Sequence, residues 1–273
     1  MFGDRRAILV STTSTVVFFL VIGLVFVLSP GFQPVRDGFF NWAAMKESFF
    51  GSRTEPAIWS AFLLNVKMFL IAEPLILLLA LLIAVVRQIP GPVFFPFRLV
   101  AVLYTDFFRG VPLLLVVILL GYGVPGLQIA GLSNFDPQVY GITALVLSYS
   151  AYVAEVYRAG IESVHPSQVA AARSLGLTRL QSLRHVVVPQ AVRRVIPPLL
   201  NDFISLQKDT ALVGVLGTIE SLKAAQIYSS LHFNYSSLLV AAFLFILITI
   251  PLARFTDRLI ARGQQRRGGT QAR

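Results

Sequence analysis

Charged side chains interrupt the apolar segments of this sequence, and their spacing would let them pair in an apolar environment. Asp106 and Arg109 lie three residues apart, on one helical face, where a carboxylate and a guanidinium can form an ion pair. Gly110 and Pro112 follow and interrupt that helix, because proline cannot donate its backbone hydrogen bond. A break inside a membrane must face protein or a water-filled path. The segment therefore predicts either a self-neutralised pair at a kink or a gate.

A second polar group, Lys208, Asp209 and Thr210, follows another apolar segment. A charged side chain in a membrane span costs at least about 2.5 kcal/mol on insertion scales, so each one needs a partner or a function. We expect Lys208 and Asp209 either to neutralise each other or to line a path. Glu155 and Arg158, three residues apart, are predicted to form a structural salt bridge.

The sequence contains no pattern typical of a catalytic site. The motifs G-x-x-x-x-G-K, H-E-x-x-H and G-x-S-x-G are absent, and so is cysteine. The scattered residues His165, His185 and His232 are interpreted as ordinary polar residues. We therefore expect no enzymatic activity, no metal site and no cofactor in this chain.

Composition indicates that lipid is the natural solvent of the apolar segments. Hydrophobic residues make up 56% of the 273 residues and charged residues 13%, with a mean hydropathy of +0.74. These values exclude an ordinary soluble domain. The net charge of +10 comes from arginines between apolar segments and near the C-terminus, where membrane topology accounts for them. Nucleic-acid binding is therefore not expected.

Six apolar segments are long enough to cross about 30 Å of hydrocarbon. They are residues 8–28, 57–86, 97–123, 139–160, 189–206 and 236–259. The fifth is the weakest, because it contains Asn201 and Asp202. The first resembles a signal peptide, but it is long and lacks a clear small-x-small cleavage motif, so we interpret it as a retained anchor.

The distribution of basic residues predicts the orientation. With the N-terminus in the cytoplasm, six crossings return the C-terminus to the cytoplasm, and basic residues are concentrated on that side. The external side then carries only Arg36, Lys46, Arg53 and Lys223. The cytoplasmic side carries Arg5, Arg6, Arg87, Arg98, Arg158, Arg173, Arg179, Arg184, Arg193, Arg194, Arg254, Arg258, Arg262, Arg266, Arg267 and Arg273.

The chain divides into three parts. Residues 1–56 form an N-terminal transmembrane anchor and an external amphipathic segment, whose aromatic residues suit a helix in the headgroup region. Residues 57–260 hold the other five spans. Residues 261–273 are rich in Gly, Gln and Arg, and we expect a disordered cytoplasmic tail beside anionic lipid headgroups.

The largest cytoplasmic loop predicts a short helix. Pro166 suits a first helical turn, and Gly176 suits a left-handed C-cap, which leaves a helix of about ten residues. Its outward face would present Gln168, Arg173 and Ser174, while Val169, Leu175 and Leu177 anchor it. A helical hairpin without a partner is the alternative interpretation.

This loop resembles a known family motif. AAARSLG, nine residues and then VVVP resemble the E-A-A-x3-G-x9-I-x-L-P motif of permeases from bacterial ATP-binding-cassette (ABC) importers. The segments DFFRGVPLL, SAYVAEVYRAGIESV, GLTRLQSLRHVVVPQA and PPLLNDFISLQKDTAL resemble the polar amino-acid branch, which includes histidine, glutamine and glutamate permeases. The resemblance covers residues 57–259.

The resemblance implies an all-α membrane protein with a type I ABC importer permease (MetI-like) core and an extra N-terminal helix. The loop helix would be the coupling helix that docks on a cytoplasmic ABC ATPase dimer. Its contact residues would be Gln168, Ala170, Ala171, Ala172, Arg173, Ser174 and Gly176. A second permease subunit, homologous or identical, and an extracytoplasmic solute-binding protein complete the implied assembly, with a polar amino acid such as glutamate or glutamine as substrate.

The resemblance also gives a role to the intramembrane charges. Paired charges and a broken helix suit a path for zwitterionic amino acids, with Asp106, Arg109, Gly110, Pro112, Lys208, Asp209 and Thr210 as candidates. In one departure from the family, Ala170 replaces the acidic residue that names the motif. A membrane scaffold or an ion-driven secondary transporter, neither coupled to an ATPase, is the alternative function.

Overall fold

The computed structural model describes residues 5–271, and it describes side-chain environments for residues 8–260. Residues 5–271 contain helices joined by turns, without a strand. In chain order the helices are α1 Arg5–Leu28, α2 Phe32–Phe39, α3 Trp42–Phe50, α4 Ile58–Gln88, α5 Phe95–Gly110, α6 Leu113–Ile118, α7 Val124–Gly126, α8 Pro137–Glu162, α9 Pro166–Ser174, α10 Arg179–Ser182, α11 Val188–Asp209, α12 Ser221–His232 and α13 Ser236–Gln271. A 3₁₀ turn Thr210–Leu216 follows α11, and π-helical turns Leu119–Gly123 and Leu183–Val187 follow α6 and α10.

Five of the six predicted spans have a counterpart among the candidate spans of the described residues. Four of the described helices, α1, α4, α8 and α13, are long and apolar enough to cross a membrane, and the broken unit of α5 with α6 and α7 makes a fifth. The fifth predicted segment, residues 189–206, forms α11, whose 22 residues extend about 33 Å. α11 is too polar to count as a candidate span by length and hydropathy. It packs against α8, α13 and α4.

The predicted helix break at Gly110 and Pro112 is confirmed. α5 ends at Gly110, Val111 has extended backbone, and Pro112 caps the start of α6. The axes of the two parts differ by 105°. Pro112 has no N–H to donate, so the helical ladder cannot continue through it. The break turns the chain inside the bundle and leaves Arg109 in the last turn of α5.

α8 lies at the centre of the helical core. It packs against α4, α5, α6 and α11, and its Leu145 has no exposed surface. Met68 and Ile76 of α4 and Leu206 of α11 belong to the same buried cluster. α8 and α11 can approach closely because Gly160 of α8 faces Val195 of α11, where a Cβ on the glycine would lie 2.1 Å from Val195 Cγ2.

The N-terminal helices surround this core differently. Every described side chain of α1 is exposed, whereas α3 packs against α13 and α4 and buries Ala44 and Ser48. Tyr228 of α12 donates a hydrogen bond to Glu47 of α3 at 3.0 Å, and burial together with this bond raises the pKa of Tyr228 to about 12.

α13 continues as backbone helix to Gln271 through the segment for which we predict a disordered tail, since Arg and Gln favour helix.

Candidate functional site

Glu155 of α8 lies close to arginines of α4, α5 and α8 itself. We call Glu155 with Arg87, Arg109 and Arg158 the Glu155 cluster. Arg87 Nη1 of α4 donates to Glu155 Oε1, Arg158 Nη2 lies 2.7 Å from Glu155 Oε2, and Arg109 Nη1 lies 3.9 Å from Oε2. The Glu155 side chain is only 16% exposed. The predicted salt bridge to Arg158 is therefore confirmed, and Arg158 also donates to Glu162 at 2.6 Å.

The predicted pairing of Asp106 with Arg109 is wrong. Asp106 is exposed and forms no ion pair among the residues that the structure describes. Arg109 turns instead toward α8, where Tyr152 Oη donates to the Arg109 carbonyl at 3.3 Å and Glu155 attracts the guanidinium. A less exposed carboxylate from another helix outcompetes the neighbour on the same helix, because charges attract more strongly where water is excluded.

The predicted pairing of Lys208 with Asp209 is also wrong for the described residues. Consecutive residues on a helix do not face each other, so the two side chains diverge. Asp209 Oδ2 accepts a 2.6 Å hydrogen bond from Tyr149 Oη of α8, while Lys208 is exposed. Thr210 is fully buried and accepts from Asn65 Nδ2 of α4 at 3.1 Å.

A cavity of about 460 Å³ lies beside the Glu155 cluster. It joins α5, α8 and α11, and it is lined by Arg109, Tyr152, Glu155, Val156, Ala159, Gly160, Arg194, Pro198 and Asp202. Two of these side chains are acidic and two are basic. Asp202 Oδ2 is buried without a hydrogen-bond partner among the described residues, and Arg109 is 43% exposed. The cavity therefore presents an accessible guanidinium to a small polar molecule, while the unpaired oxygen of Asp202 lies buried in its wall.

A buried polar group connects α4 to the start of α12. Asn65 Nδ2 donates to Glu220 Oε2 at 3.1 Å, and Asn65 Oδ1 accepts from Ser221 Oγ at 2.8 Å. Glu220 also accepts from the backbone N–H groups of Leu222 and Lys223 and caps α12. Burial raises the pKa of Glu220, and these donors oppose the rise. This group was not predicted from the sequence, although the polar Asn65 within the largely apolar α4 was a signal.

The predicted loop helix is confirmed as α9. It begins at Pro166, and Gly176 beyond its end has a φ of +88°, the left-handed backbone expected of a C-cap. Gln168, Ala170, Ala171, Arg173, Ser174 and Gly176 are exposed. Ala172 is buried, so this candidate contact residue faces the protein interior.

The expected anchoring role of Leu175 is wrong. Leu175 is 82% exposed, and Leu180 in α10 is 73% exposed, whereas Ala172 and Val164 are buried beneath the loop. The helix ends at Ser174, and the left-handed turn at Gly176 reverses the chain, so Leu175 lies on the outer side. α9 and α10 therefore form a short helical hairpin that exposes Leu175 and Leu180. Thr178 and Gln181 form a capping box at the start of α10.

Comparisons with known proteins agree with this architecture. The model of the family "Binding-protein-dependent transport system inner membrane component" matches residues 78–267. The chain is 37% identical over 162 residues to the probable glutamine ABC transporter permease protein GlnM of Bacillus subtilis, covering 59% of this chain and 73% of that protein. It is 32% identical over 209 residues to the probable glutamine ABC transporter permease protein GlnP of the same organism, covering 75% and 93%.

A solved structure shares the fold. The crystal structure of an amino acid ABC transporter with histidines aligns with a TM-score of 0.68 and 32% identity, covering 75% of this chain and 93% of that one. The core has the expected type I ABC importer permease fold, with α1 as an additional N-terminal helix. The chain belongs to the family of binding-protein-dependent transport system inner membrane components, and is an amino-acid ABC transporter permease.

Proposed function

We propose that this chain is the permease subunit of an ATP-driven importer of polar amino acids, with glutamate or glutamine as the expected substrates. The observation that carries the proposal is the charged cavity beside the Glu155 cluster, lined by three helices of the permease fold. Relatives described as glutamine permeases support the substrate class. Residues 57–260 form the permease domain, and residues 1–56 form the anchor with its external segment.

Both charged groups of an amino acid find a counterpart in the cavity. The Asp202 carboxylate, whose buried Oδ2 has no partner among the described residues, would turn into the cavity to accept hydrogen bonds from the substrate ammonium, and Arg109 would donate to the substrate carboxylate. Arg109 lies at the end of α5 directly before the break, so binding there would couple to movement of Gly110 and Pro112. Asp106, Lys208, Asp209 and Thr210 then lie outside the primary contacts, at other points of the path or its support.

Energy would come from another chain. α9 and α10 would dock on one subunit of a cytoplasmic ABC ATPase dimer, with Gln168, Ala170, Ala171, Arg173, Ser174 and Gly176 in the contact. The exposed Leu175 and Leu180 fit such a role, because large apolar side chains at a loop tip are typical of protein interfaces. Nucleotide-driven closure of the ATPases would move α9 as a rigid body and switch the permease between inward-facing and outward-facing states.

The proposal includes a membrane arrangement. The excess of arginine near α9, α10 and the end of α13 supports a cytoplasmic location for these elements, with both termini on that side of the bacterial inner membrane. α12 and the turn before it then face outward, where an extracytoplasmic solute-binding protein would deliver the amino acid. A second permease subunit would complete the path.

The test is co-purification of an ATPase from native cells with the permease, comparing wild type with Gly176→Trp. Space around Gly176 is open, so the indole would project outward and block docking. Gly131→Trp is the matched control, because Gly131 also has positive φ and open space but lies in the loop before α8, at the opposite end of that helix. Loss of the ATPase in Gly176→Trp alone supports the proposal. Absence of an ATPase from wild type would contradict it and favour a scaffold or secondary transporter.

A further inference from the structure

A groove of about 450 Å³ between α4, α11 and α13 is open to the outside of the helical bundle. Its walls include Phe69 and Leu70 of α4, Phe203 of α11, and Leu252 and Phe255 of α13. Leu70 and Phe255 are largely exposed, and they mark the mouth of the groove. Inside a membrane, either acyl chains or another helix would fill such a groove.

One polar side chain in the groove distinguishes between these occupants. Gln207 of α11 lines the groove and is only 3% exposed. Thr249 Oγ1 of α13 lies 3.4 Å from Gln207 Oε1, while Gln207 Nε2 has no hydrogen-bond partner among the described residues. A primary amide has a donor end and an acceptor end, and Thr249 pairs with only one of them. Rotation of the side chain would turn the unpaired end from the groove wall into the groove, where acyl chains offer no hydrogen bond.

Helix α1 carries polar groups that suit this amide. Residues 11–15 are five consecutive serines and threonines within an otherwise apolar span, and every described side chain of α1 is exposed. Thr15 Oγ1 donates to the Ser11 carbonyl at 2.7 Å, so its oxygen remains available as an acceptor. Serine and threonine side chains commonly form hydrogen bonds between helices in membranes. A contact between α1 and the groove would therefore give the amide its missing partner.

The depth of Thr15 in its helix matches the depth of Gln207. Thr15 is thirteen residues from Leu28, the end of α1. Thr249, which contacts Gln207, is thirteen residues from Ser236, the start of α13. At a rise of 1.5 Å per residue, each threonine lies about 20 Å from its helix end. The two side chains are therefore level if those two helix ends lie on the same side of the membrane.

The contacts of α2 hold these two helix ends on one side of the bundle. Phe26, near the end of α1, packs edge-to-face on Phe32 of α2, with ring centroids 5.5 Å apart. At the other end of α2, the Tyr235 N–H donates to the Gly38 carbonyl at 2.7 Å, and Tyr235 directly precedes α13. α2 has eight residues and is about 12 Å long, close to the width of one helix. This short tether lets α1 reach the groove of its own chain beside α13.

We propose that α1 folds back on its own chain and occupies the α4–α11–α13 groove, with Thr15 bound to the Gln207 amide. A hydroxyl suits either end of the amide, because it can donate and accept. α1 swings into place about the turn at residues 29–31 and becomes part of the permease bundle, which goes beyond a role as an anchor in lipid. The inference depends neither on the transported substrate nor on the ATPase.

The chain contains no cysteine, so two introduced cysteines can report this contact. Ser11→Cys lies on the Thr15 face of α1, and Leu252→Cys lies in the groove at a depth that matches Ser11 within about one residue. We expect mild oxidation in membranes to form a disulfide within one chain. A protease site inserted before Gly31 detects this disulfide, because the cleaved N-terminal fragment stays attached until reductant is added.

Ser11→Cys combined with Leu75→Cys is the matched control. Leu75 lies at the same depth as Ser11 but is exposed on the face of α4 that points away from Phe69 and Leu70, so it should form no disulfide. The proposal is overturned if the groove cysteine forms no disulfide, if the control forms one equally fast, or if differently tagged copies show the disulfide only between chains. The first outcome would leave the groove to lipid, and the last would place α1 on a second copy.

A second set of variants tests the hydrogen bond. Thr15→Val and Gln207→Leu should each slow formation of the disulfide about threefold, and together they should slow it no further, because both remove the same contact. Thr13→Val is the matched control, since two residues along a helix turn a side chain by about 200°, to the opposite face. Equal slowing by Thr13→Val, or no slowing by Gln207→Leu, would overturn the contact between Thr15 and Gln207.

Discussion

Arg109 of α5 lies 3.9 Å from Glu155 of α8, on a neighbouring helix, while Asp106 on its own helix stays exposed. Glu155 also binds Arg87 of α4 and Arg158 of α8. A single carboxylate therefore connects α4, α5 and α8 at the point where α5 breaks. Removal of this carboxylate would leave Arg87 and Arg109 without a carboxylate partner among the described residues, while Arg158 keeps Glu162.

The first prediction concerns this carboxylate. Glu155→Gln should lower stability by about 3 kcal/mol, because breaking a largely buried ion pair leaves its partners uncompensated. The measurement is the thermal midpoint of the detergent-purified permease, followed by size-exclusion chromatography after heating. Glu162→Gln is the control, since Glu162 is 58% exposed and among the described residues pairs only with Arg158, and its loss should cost less than about 1 kcal/mol. Equal losses in both variants would refute a central role for Glu155.

The sequence predicted the helices well, because apolar periodicity and Gly or Pro breaks act locally. The break after Gly110 and the cap at Gly176 are examples that depend on backbone chemistry alone. Pairings of charged residues could not be predicted in the same way. Asp106 was a near neighbour of Arg109 in sequence, but the choice of Glu155 depended on how α5 and α8 pack, which the spacing of residues does not contain.

The second prediction concerns the cavity. Asp202→Asn should raise the KM for amino-acid uptake about tenfold, because one charge-assisted hydrogen bond to the substrate ammonium is lost. The measurement is initial uptake of labelled glutamine or glutamate by proteoliposomes that contain the permease with its ATPase and binding protein. Asp106→Asn is the matched control, because that carboxylate is exposed and should leave KM unchanged. An unchanged KM in Asp202→Asn would remove Asp202 from the substrate contacts.

The third prediction concerns the tip of the loop. Leu175→Glu should weaken ATPase binding about thirtyfold, the effect expected when an apolar anchor at an interface is replaced by a charge. The measurement is ATPase retained on the immobilised permease over a range of ATPase concentrations. Leu231→Glu in α12 provides the control, since Leu231 is also exposed but lies at the opposite end of the bundle. Undiminished retention in Leu175→Glu would place the docking contact elsewhere on α9.

The fourth prediction concerns the contact between α8 and α11. Gly160→Ala should lower stability by about 1–3 kcal/mol, because the new methyl overlaps Val195 Cγ2 and forces the helices apart. Val195→Ala in the same chain should restore much of the loss by making room, as read from the thermal midpoint. Gly23→Ala in α1 is the control, because no atom lies within 4 Å of the new methyl there. Failure of the rescue would show that the glycine serves another purpose.

The last prediction concerns the buried group at the start of α12, and it has a defined pH dependence. Burial raises the pKa of Glu220, so ionisation of its carboxyl costs stability as pH rises from the unfolded pKa through the folded one. Asn65 opposes that rise by donating to Glu220 Oε2. Asn65→Leu should therefore cost about 1–3 kcal/mol, with a larger loss at about pH 8 than at about pH 5. Thermal midpoints of Asn65→Leu and of the exposed control Asn134→Leu at both pH values provide the comparison. A deficit in Asn65→Leu that is the same at both pH values would mean that Asn65 supports the start of α12 through Ser221 and Thr210, without stabilising the Glu220 carboxylate.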